Sequence, residues 1–309
     1  MRLDDTELPV ALGRYRLAYR PRVRALIAQH GGIAGVADDQ SADTMVETIR
    51  GLLADGVADA ALLPSIRVGS PLERRLKREP WLLRGHFEHR QINRLTTIPE
   101  TPAEFFAARS SNTRRNVKRV NEERVGGLRI HVYSRPEELS DMTRQLERVA
   151  AHTWQSKIGG GFKPTAMELA LYRVALAKDC FRAWILFDAD RPIAFLIGLV
   201  HGGGFGGRFM AYDPNYEQYS PGFYLFSRLI EDLCADDRIG YYDFGGGDSQ
   251  FKRSFSDSAW FECDGVLFAQ RLRPIGLNAW RSGLGAARWI LTRPSRDSTP
   301  SSARAGARE

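Results

Sequence analysis

Cysteine, histidine and long apolar runs are all scarce in this 309-residue chain, and each scarcity excludes something. The three cysteines, Cys180, Cys234 and Cys263, are odd in number, far apart and set among apolar neighbours. They support neither a disulfide framework nor a zinc site, and reduced thiols in a cytoplasmic protein are expected. The six histidines do not assemble: His86-Phe87-Glu88-His89 lacks the His-Glu-x-x-His spacing that puts two rings on one helical face, so no metal centre is expected. Apolar runs such as Ala194 to Val200 fall far short of the roughly 18 residues a membrane span requires. The N-terminus carries Asp4, Asp5 and Glu7, where an export signal would carry cations ahead of an apolar stretch.

What is present is an ordinary globular balance, 43% apolar and 26% charged, enough to bury a full core in one large or two medium domains. The net charge of +7 suits anionic partners such as nucleotides, nucleic acid or lipid head groups without choosing among them. Periodicity predicts a strand at 128–133, a helix over 136–151 capped by Ser134, and a second helix over 164–178. Strands at 181–187, 192–201 and 205–212 should form an antiparallel meander, followed by a helix over 221–235 and strands at 239–244 and 259–268. This order is not the regular alternation of a doubly wound sheet. Gly202 to Gly207 matches G-x-G-x-x-G but lies between two strands, so it reads as a hairpin turn rather than a dinucleotide fingerprint.

Residues 1–104 are less patterned, with a helix near 44–53 and a strand-like 59–63, and read as a reduced N-terminal lobe. A basic helix over 112–123 carries Arg114, Arg115, Lys118 and Arg119. An amphipathic helix over 271–292, with Trp280, Arg281, Arg288 and Trp289, either packs on the domain or touches a membrane surface. The tail 293–309, rich in Ser, Arg, Pro and Ala, is expected to be disordered.

The densest stretch runs from Arg208 to Phe255. Ser220 suits an N-cap, Pro221 the first helical position, and Gly222 leaves the backbone open. First-turn N–H groups and the positive end of the helix dipole would then face an anion, a phosphate or pyrophosphate; Ser-Pro-Gly also opens helices that bind nothing. Taken with the basic Thr113-Arg114-Arg115-Asn116-Val117-Lys118-Arg119, with Trp154-Gln155-Ser156-Lys157, with Tyr212-Asp213-Pro214, and with Tyr242-Asp243-Phe244-Gly245 before Phe251-Lys252-Arg253-Ser254-Phe255, residues of about 105–270 resemble the GNAT acyltransferase superfamily. Within it they look most similar to the CelD/BcsL-like acyltransferases of polysaccharide biosynthesis, relatives of the Fem aminoacyl transferases. The resemblance implies an α/β, GNAT-like mixed, splayed, mostly antiparallel sheet with flanking helices. The strand ending at Tyr212 would part from the strand ending at Phe244, an acyl-CoA arm would lie between them, and its pyrophosphate would rest on Ser220 to Phe223. The loop Glu217 to Gly222 departs from the usual GNAT loop, which is richer in Arg or Gln and Gly.

Acyl transfer to an amine needs a deprotonated amine, a polarised thioester carbonyl and a proton for the departing thiolate. A backbone N–H near Ala211 or Tyr212 would bind the carbonyl oxygen, and Tyr212 or Tyr219 would protonate the thiolate; both tyrosines also suit a core or wall. Asp243 would accept the amine proton or cap the Gly245-Gly246-Gly247 turn. Lys252 matches the lysine of the Fem Phe-Lys-x-x-Phe signature, a cation near developing negative charge, and also reads as a surface lysine. Ala211, Tyr219, Ser220, Gly222 and Phe223 are the cofactor contacts, while Trp154 and Lys157 would line the acceptor pocket. The expected function is acyl transfer, N-acetyl transfer foremost, from acetyl-CoA or another acyl-CoA to a small or sugar-linked amine or hydroxyl, in polysaccharide or envelope biosynthesis. The alternatives are a Fem-like transferase that uses aminoacyl-tRNA and a non-catalytic binding module; DNA is not an expected partner.

Overall fold

The computed structural model describes residues 1–8, 10–12, 15–19, 21–28, 36–86, 90–122, 128–153 and 162–292. Trp154, Lys157 and the tail 293–309 lie outside the described residues. The chain divides into two compact units, Met1–Arg90 with Glu262–Glu309, and Gln91–Phe261.

The first unit opens with β1 (Arg2–Glu7), β2 (Val10–Leu12), β3 (Tyr15–Tyr19) and β4 (Arg22–Ile27), with β1 antiparallel to β4 and β2 paired to β3 as a separate ribbon. Helix α1 (Asp39–Ala54) starts on a capping box in which the Asp38 carboxylate accepts the Ser41 N–H at 2.8 Å. It buries Ala42, Val46, Ile49 and Leu53 at helical spacing. Strand β5 (Ala60–Arg67) runs parallel to β4, and α2 (Pro71–Lys77) starts on Ser70.

The second unit contains β6 (Arg90–Thr97), α3 (Pro102–Ala107), α4 (Ser111–Glu122), β7 (Leu128–Tyr133), α5 (Leu139–Ala150), α6 (Ala166–Ala177), β8 (Phe181–Asp188), β9 (Arg191–His201), β10 (Gly204–Tyr212), α7 (Pro221–Cys234), β11 (Tyr241–Gly246) and α8 (Gln250–Phe255). Its strands lie in the order β6-β11-β10-β9-β8-β7, antiparallel except for the β10–β11 pair. Strands β8 and β9 are apolar almost throughout because both faces are covered. Trp184, Leu186, Ala194 and Leu196 pack with Leu225, Phe226 and Leu229 of α7. Ala183, Ile185, Phe195 and Ile197 pack with Met142, Leu146 and Val149 of α5 and Tyr172 of α6. The expected meander is present, and Gly202 (φ 56°) and Gly203 (φ 80°) form its two-residue hairpin turn between β9 and β10. Strand β12 (Ser258–Phe268) carries the chain back into the first unit, where it pairs antiparallel with β5 ahead of α9 (Leu272–Thr292).

Two local expectations are corrected. The hydroxyl of Ser134 does not cap the turn before α5; the Glu138 carboxylate does, accepting the Ser134 and Arg135 N–H groups at 3.3 and 3.1 Å. Strand β11 begins at Tyr241 rather than 239, because the Ile239 and Gly240 N–H groups donate to Asp236 and Gly203 carbonyls.

The feature that positions the site is a fork. Strands β10 and β11 pair only at Gly204↔Tyr241, Phe205↔Tyr242 and Gly206↔Asp243. Beyond that point β10 follows β9 to Tyr212↔Ala194, with a register shift between Gly207 and Phe209, while β11 follows β6. Gly207 is required there, since a Cβ would sit 2.2 Å from the Tyr242 Oη. That phenol is buried, and burial drives its pKa well above the usual tyrosine value.

Two outcomes test this account. Gly207→Ala is expected to lose about 1–3 kcal/mol of stability in denaturant unfolding, because the methyl overpacks against Tyr242. The Arg135 guanidinium, helped by the two N–H groups and His131 and opposed by burial, holds the Glu138 carboxyl down from 4.5 to about 2. A depressed carboxylate stabilises the fold above its unfolded pKa and loses that contribution as pH falls. Glu138→Gln should therefore be about 1 kcal/mol less stable than wild type at neutral pH. In thermal unfolding the gap should close between about pH 4.5 and 2.

Candidate active site

The β11 side of the fork ends in the turn Gly245 (φ 67°), Gly246 and Gly247 (φ 92°). Asp243 and Lys252 both close on it. The Asp243 carboxylate accepts the Gly245 N–H at 2.7 Å, and Lys252 Nζ donates to the carbonyl oxygens of Gly245 and Gly246 at 3.1 and 2.7 Å. The capping role read for Asp243 is therefore realised, and Lys252 is half-buried rather than a surface lysine. Burial pushes its ammonium pKa down, while the carboxylates of Asp243 and Asp248 oppose that shift.

Lys252 reaches the turn because α8 is pinned by its aromatic flank. Phe251 and Phe255, one helical turn apart, lie 5.1 and 4.7 Å from the Phe226 ring of α7. Phe226 also packs on Tyr242 and Phe244 of β11, at 5.3 and 5.7 Å between centroids. The Phe-Lys-x-x-Phe spacing thus sends two rings into the core and turns the lysine between them toward the glycines.

Sequence reading missed the polar clamp around α8. Asp248 is held between Arg94 (2.9 Å) and Arg253 (2.7 Å). Arg109, 8% exposed, donates to the Phe105 and Phe255 carbonyls at 3.2 and 2.7 Å and pairs with Asp257 at 2.5 Å. The Arg94–Asp248 and Arg109–Phe255 contacts join residues 154 and 146 positions apart, and no local spacing announces them.

On the β10 side, Tyr212 and Met210 face the α7 side of the sheet, and Ala211 faces the α5 and α6 side. Tyr212 is half-buried; burial, then the charge of Glu217, raises its phenol pKa, so the hydroxyl keeps its proton at neutral pH. Asp213, 1% exposed, anchors the strand end: it accepts from Arg191 at 2.6 Å and from the Asn215 N–H at 3.0 Å, starting the 3-10 turn Pro214–Tyr219. Tyr219, at the end of that turn, is 44% exposed.

The helix start differs from its expected form. Ser220 is left-handed (φ 49°, ψ 52°), and its side chain makes no cap hydrogen bond. Its carbonyl oxygen instead accepts the Phe223 and Tyr224 N–H groups at 3.0 and 3.2 Å. Pro221 has no N–H, so among the described residues Gly222 supplies the first-turn donor left for an anion. Gly222 itself is buried, with room for a Cβ only 3.4 Å from the Met210 Cε, and Phe223 packs on Phe251 and Phe255 at 5.4 and 5.3 Å. The structure thus brings Met210 of β10 to Gly222, packs Phe223 against the rings that flank Lys252, and joins Asp243 with Lys252 at the glycine turn of the other arm. Among the described residues no group of three or more His, Cys, Asp and Glu side chains could hold a metal ion.

The family model described as acetyltransferase (GNAT) domain matches residues 107–253, just under half of the chain. No curated protein matches. Among solved structures, FemX is similar at a TM-score of 0.56 and 10% identity, covering 85% of this chain and 88% of that one. The DUF2156 C-terminal domain attributed to a lysylphosphatidylglycerol synthetase of Agrobacterium fabrum follows at 0.51 and 13%, covering 92% and 87%. L-PGS from Bacillus licheniformis stands at 0.51 and 13%, covering 80% and 79%. At these identities the likeness concerns fold, and the large, mostly antiparallel sheet with its flanking helices is a GNAT-like fold.

Proposed function

We propose that this domain transfers an acyl group from an acyl-CoA, acetyl-CoA foremost, to an amine or hydroxyl of a small or sugar-linked acceptor in polysaccharide or envelope biosynthesis. The observation that carries the reading is the β10–β11 ladder that stops at Gly206 and Asp243, while each strand stays paired on its other edge, a parting suited to an extended thioester arm. The thioester supplies the activated carbonyl, and the Gly222 N–H is the donor for its pyrophosphate. A backbone N–H near Ala211 or Tyr212, on the edge of β10 turned away from β9, would take the carbonyl oxygen as negative charge develops. The amine attacks the carbonyl carbon, the new bond to nitrogen forms, and the bond to sulfur breaks. Asp243 takes the proton leaving the amine, and the Tyr212 hydroxyl, kept protonated by burial, gives one to the thiolate. Lys252 holds the Gly245-Gly246 turn and adds positive charge on the same lip.

A second donor is favoured by one observation: with Pro221 lacking an N–H and the Phe223 and Tyr224 N–H groups taken by the Ser220 carbonyl, the helix start offers a single N–H, that of Gly222, which is sparse for a pyrophosphate. An aminoacyl-tRNA needs no pyrophosphate cradle there, and the exposed Arg114, Arg115, Lys118 and Arg119 of α4 would face its backbone. Under this reading the domain works as a Fem-like transferase.

Calorimetric titration of the full chain with acetyl-CoA separates the two. Binding is expected, and Gly222→Glu should abolish it by placing a carboxylate at the phosphate position; no heat even at low salt would overturn the CoA reading. Binding of tRNA that weakens steeply with salt would favour the second donor. In a thiol-release assay with a panel of amino sugars, Asp243→Asn and Lys252→Ala should each lower kcat by about 10²-fold or more. Turnover unchanged in both variants, with native circular dichroism, would remove these residues from the mechanism.

A further inference from the structure

Helix α6 is apolar on both sides. Its inner face, Tyr172, Ala175 and Leu176, is 1%, 8% and 3% exposed and packs beside Phe181. On the opposite side Met167, Leu171 and Val174 are 74%, 46% and 53% exposed. Their i, i+4, i+7 spacing puts them in one stripe, with the exposed Ala170 and Ala177 beside it. A surface helix ordinarily carries its charge there. The charged residues of α6 are Glu168 and Arg173, and the Glu168 carboxylate is turned to the Thr165 N–H (2.9 Å) and Arg208 (3.5 Å).

Cations frame the stripe. Lys163 precedes the N-cap Thr165, Arg173 lies beside Val174, and Lys178 continues the stripe one turn past Val174. All three are exposed, and no carboxylate among the described residues pairs with them. Asp179, the nearest acid beyond the helix, is taken by Arg238 at 2.9 Å.

An occupant must therefore offer apolar depth beneath the stripe and negative charge at its rim. A second copy would bring the same cations face to face, and a helix of 12 residues, about 18 Å long, presents far less than the roughly 800 Å² per partner of a stable dimer. An anionic bilayer offers both requirements. We propose that α6 is a docking helix that lies in the plane of an anionic membrane surface, with Met167, Leu171 and Val174 in the boundary between head groups and acyl chains. Docking lies on the membrane and does not cross it; no helix of the described residues is long and apolar enough to do so. The Glu168–Arg208 pair ties α6 to β10, so docking would bring the open arm of the fork to a lipid-anchored acceptor. That last consequence rests on the acyltransferase reading, whereas the docking does not.

The test is co-sedimentation of the full chain with phosphatidylcholine vesicles, with and without about 30% phosphatidylglycerol. The wild type should bind the anionic vesicles, and Met167→Glu and Val174→Glu should each bind about tenfold more weakly, the equivalent of losing one buried aliphatic side chain. Arg173→Glu with Lys178→Glu should erase the preference for phosphatidylglycerol. All four positions are exposed, so thermal unfolding should stay at the wild-type value. Wild-type protein that ignores anionic vesicles, or a Val174→Glu variant that binds as well as wild type, overturns the proposal. So does a dimer in light scattering that Val174→Glu dissociates. Acetyl-CoA binding measured in the same preparations shows whether a failure belongs to docking or to the acyltransferase reading.

Discussion

The site depends on a parallel ladder that ends after Gly206↔Asp243, because two strands that stayed paired would leave no backbone free to meet a ligand. Packing, not hydrogen bonding, enforces that ending. The Tyr242 ring lies beneath Gly207, where any side chain would collide with its hydroxyl, and Phe205 stacks on the same ring at 5.6 Å. Phe226 then holds β11 from the other side through Tyr242, Phe244, Phe251 and Phe255. Burial of this many rings contributes several kcal/mol, more than the few ladder bonds lost by parting the strands, at about 1 kcal/mol each.

The same cluster explains why Asp243 and Lys252 meet. With Phe251 and Phe255 anchored, Lys252 is carried to the carbonyls of a glycine turn whose N–H is already held by Asp243. A half-buried lysine whose ammonium is disfavoured by desolvation, close to a carboxylate, is a pattern shared by turn fasteners and by reactive sites. Both roles draw on the same geometry, since a lip that must present charge to a reaction has to be rigid. The opposite arm is rigid for a different reason: buried Asp213 locks the end of β10 to Arg191 and to the next turn.

Much of this order was legible in the chain. The apolar runs of β8 and β9, the helical spacing of Phe226, Leu229, Ile230 and Leu233, and the paired glycines of the β9–β10 turn are local signals, and each element formed as read. The helix start was read less well. Ser220 has the composition of a cap, yet the preceding 3-10 turn leaves it left-handed, and its carbonyl replaces its hydroxyl as the acceptor. Ser134 lost its cap in the same way, to a glutamate four residues on. In both cases a competing acceptor close in the chain decided the outcome, and composition does not rank acceptors.

By itself the sequence determined the helices and long strands of the second unit from α4 onward, their order and the aromatic and glycine content of the Arg208 to Phe255 stretch, because these follow from short-range periodicity and turn chemistry, whereas β6 and α3 were not read. Only the tertiary structure decided where β10 and β11 part, that Asp243 and Lys252 share one turn, and that Arg109 and Asp248 brace it. It alone showed that the outer face of α6 is apolar. These are matters of which distant residues meet and which side faces solvent, and the sequence period of a helix with apolar residues on both sides cannot choose between its two faces.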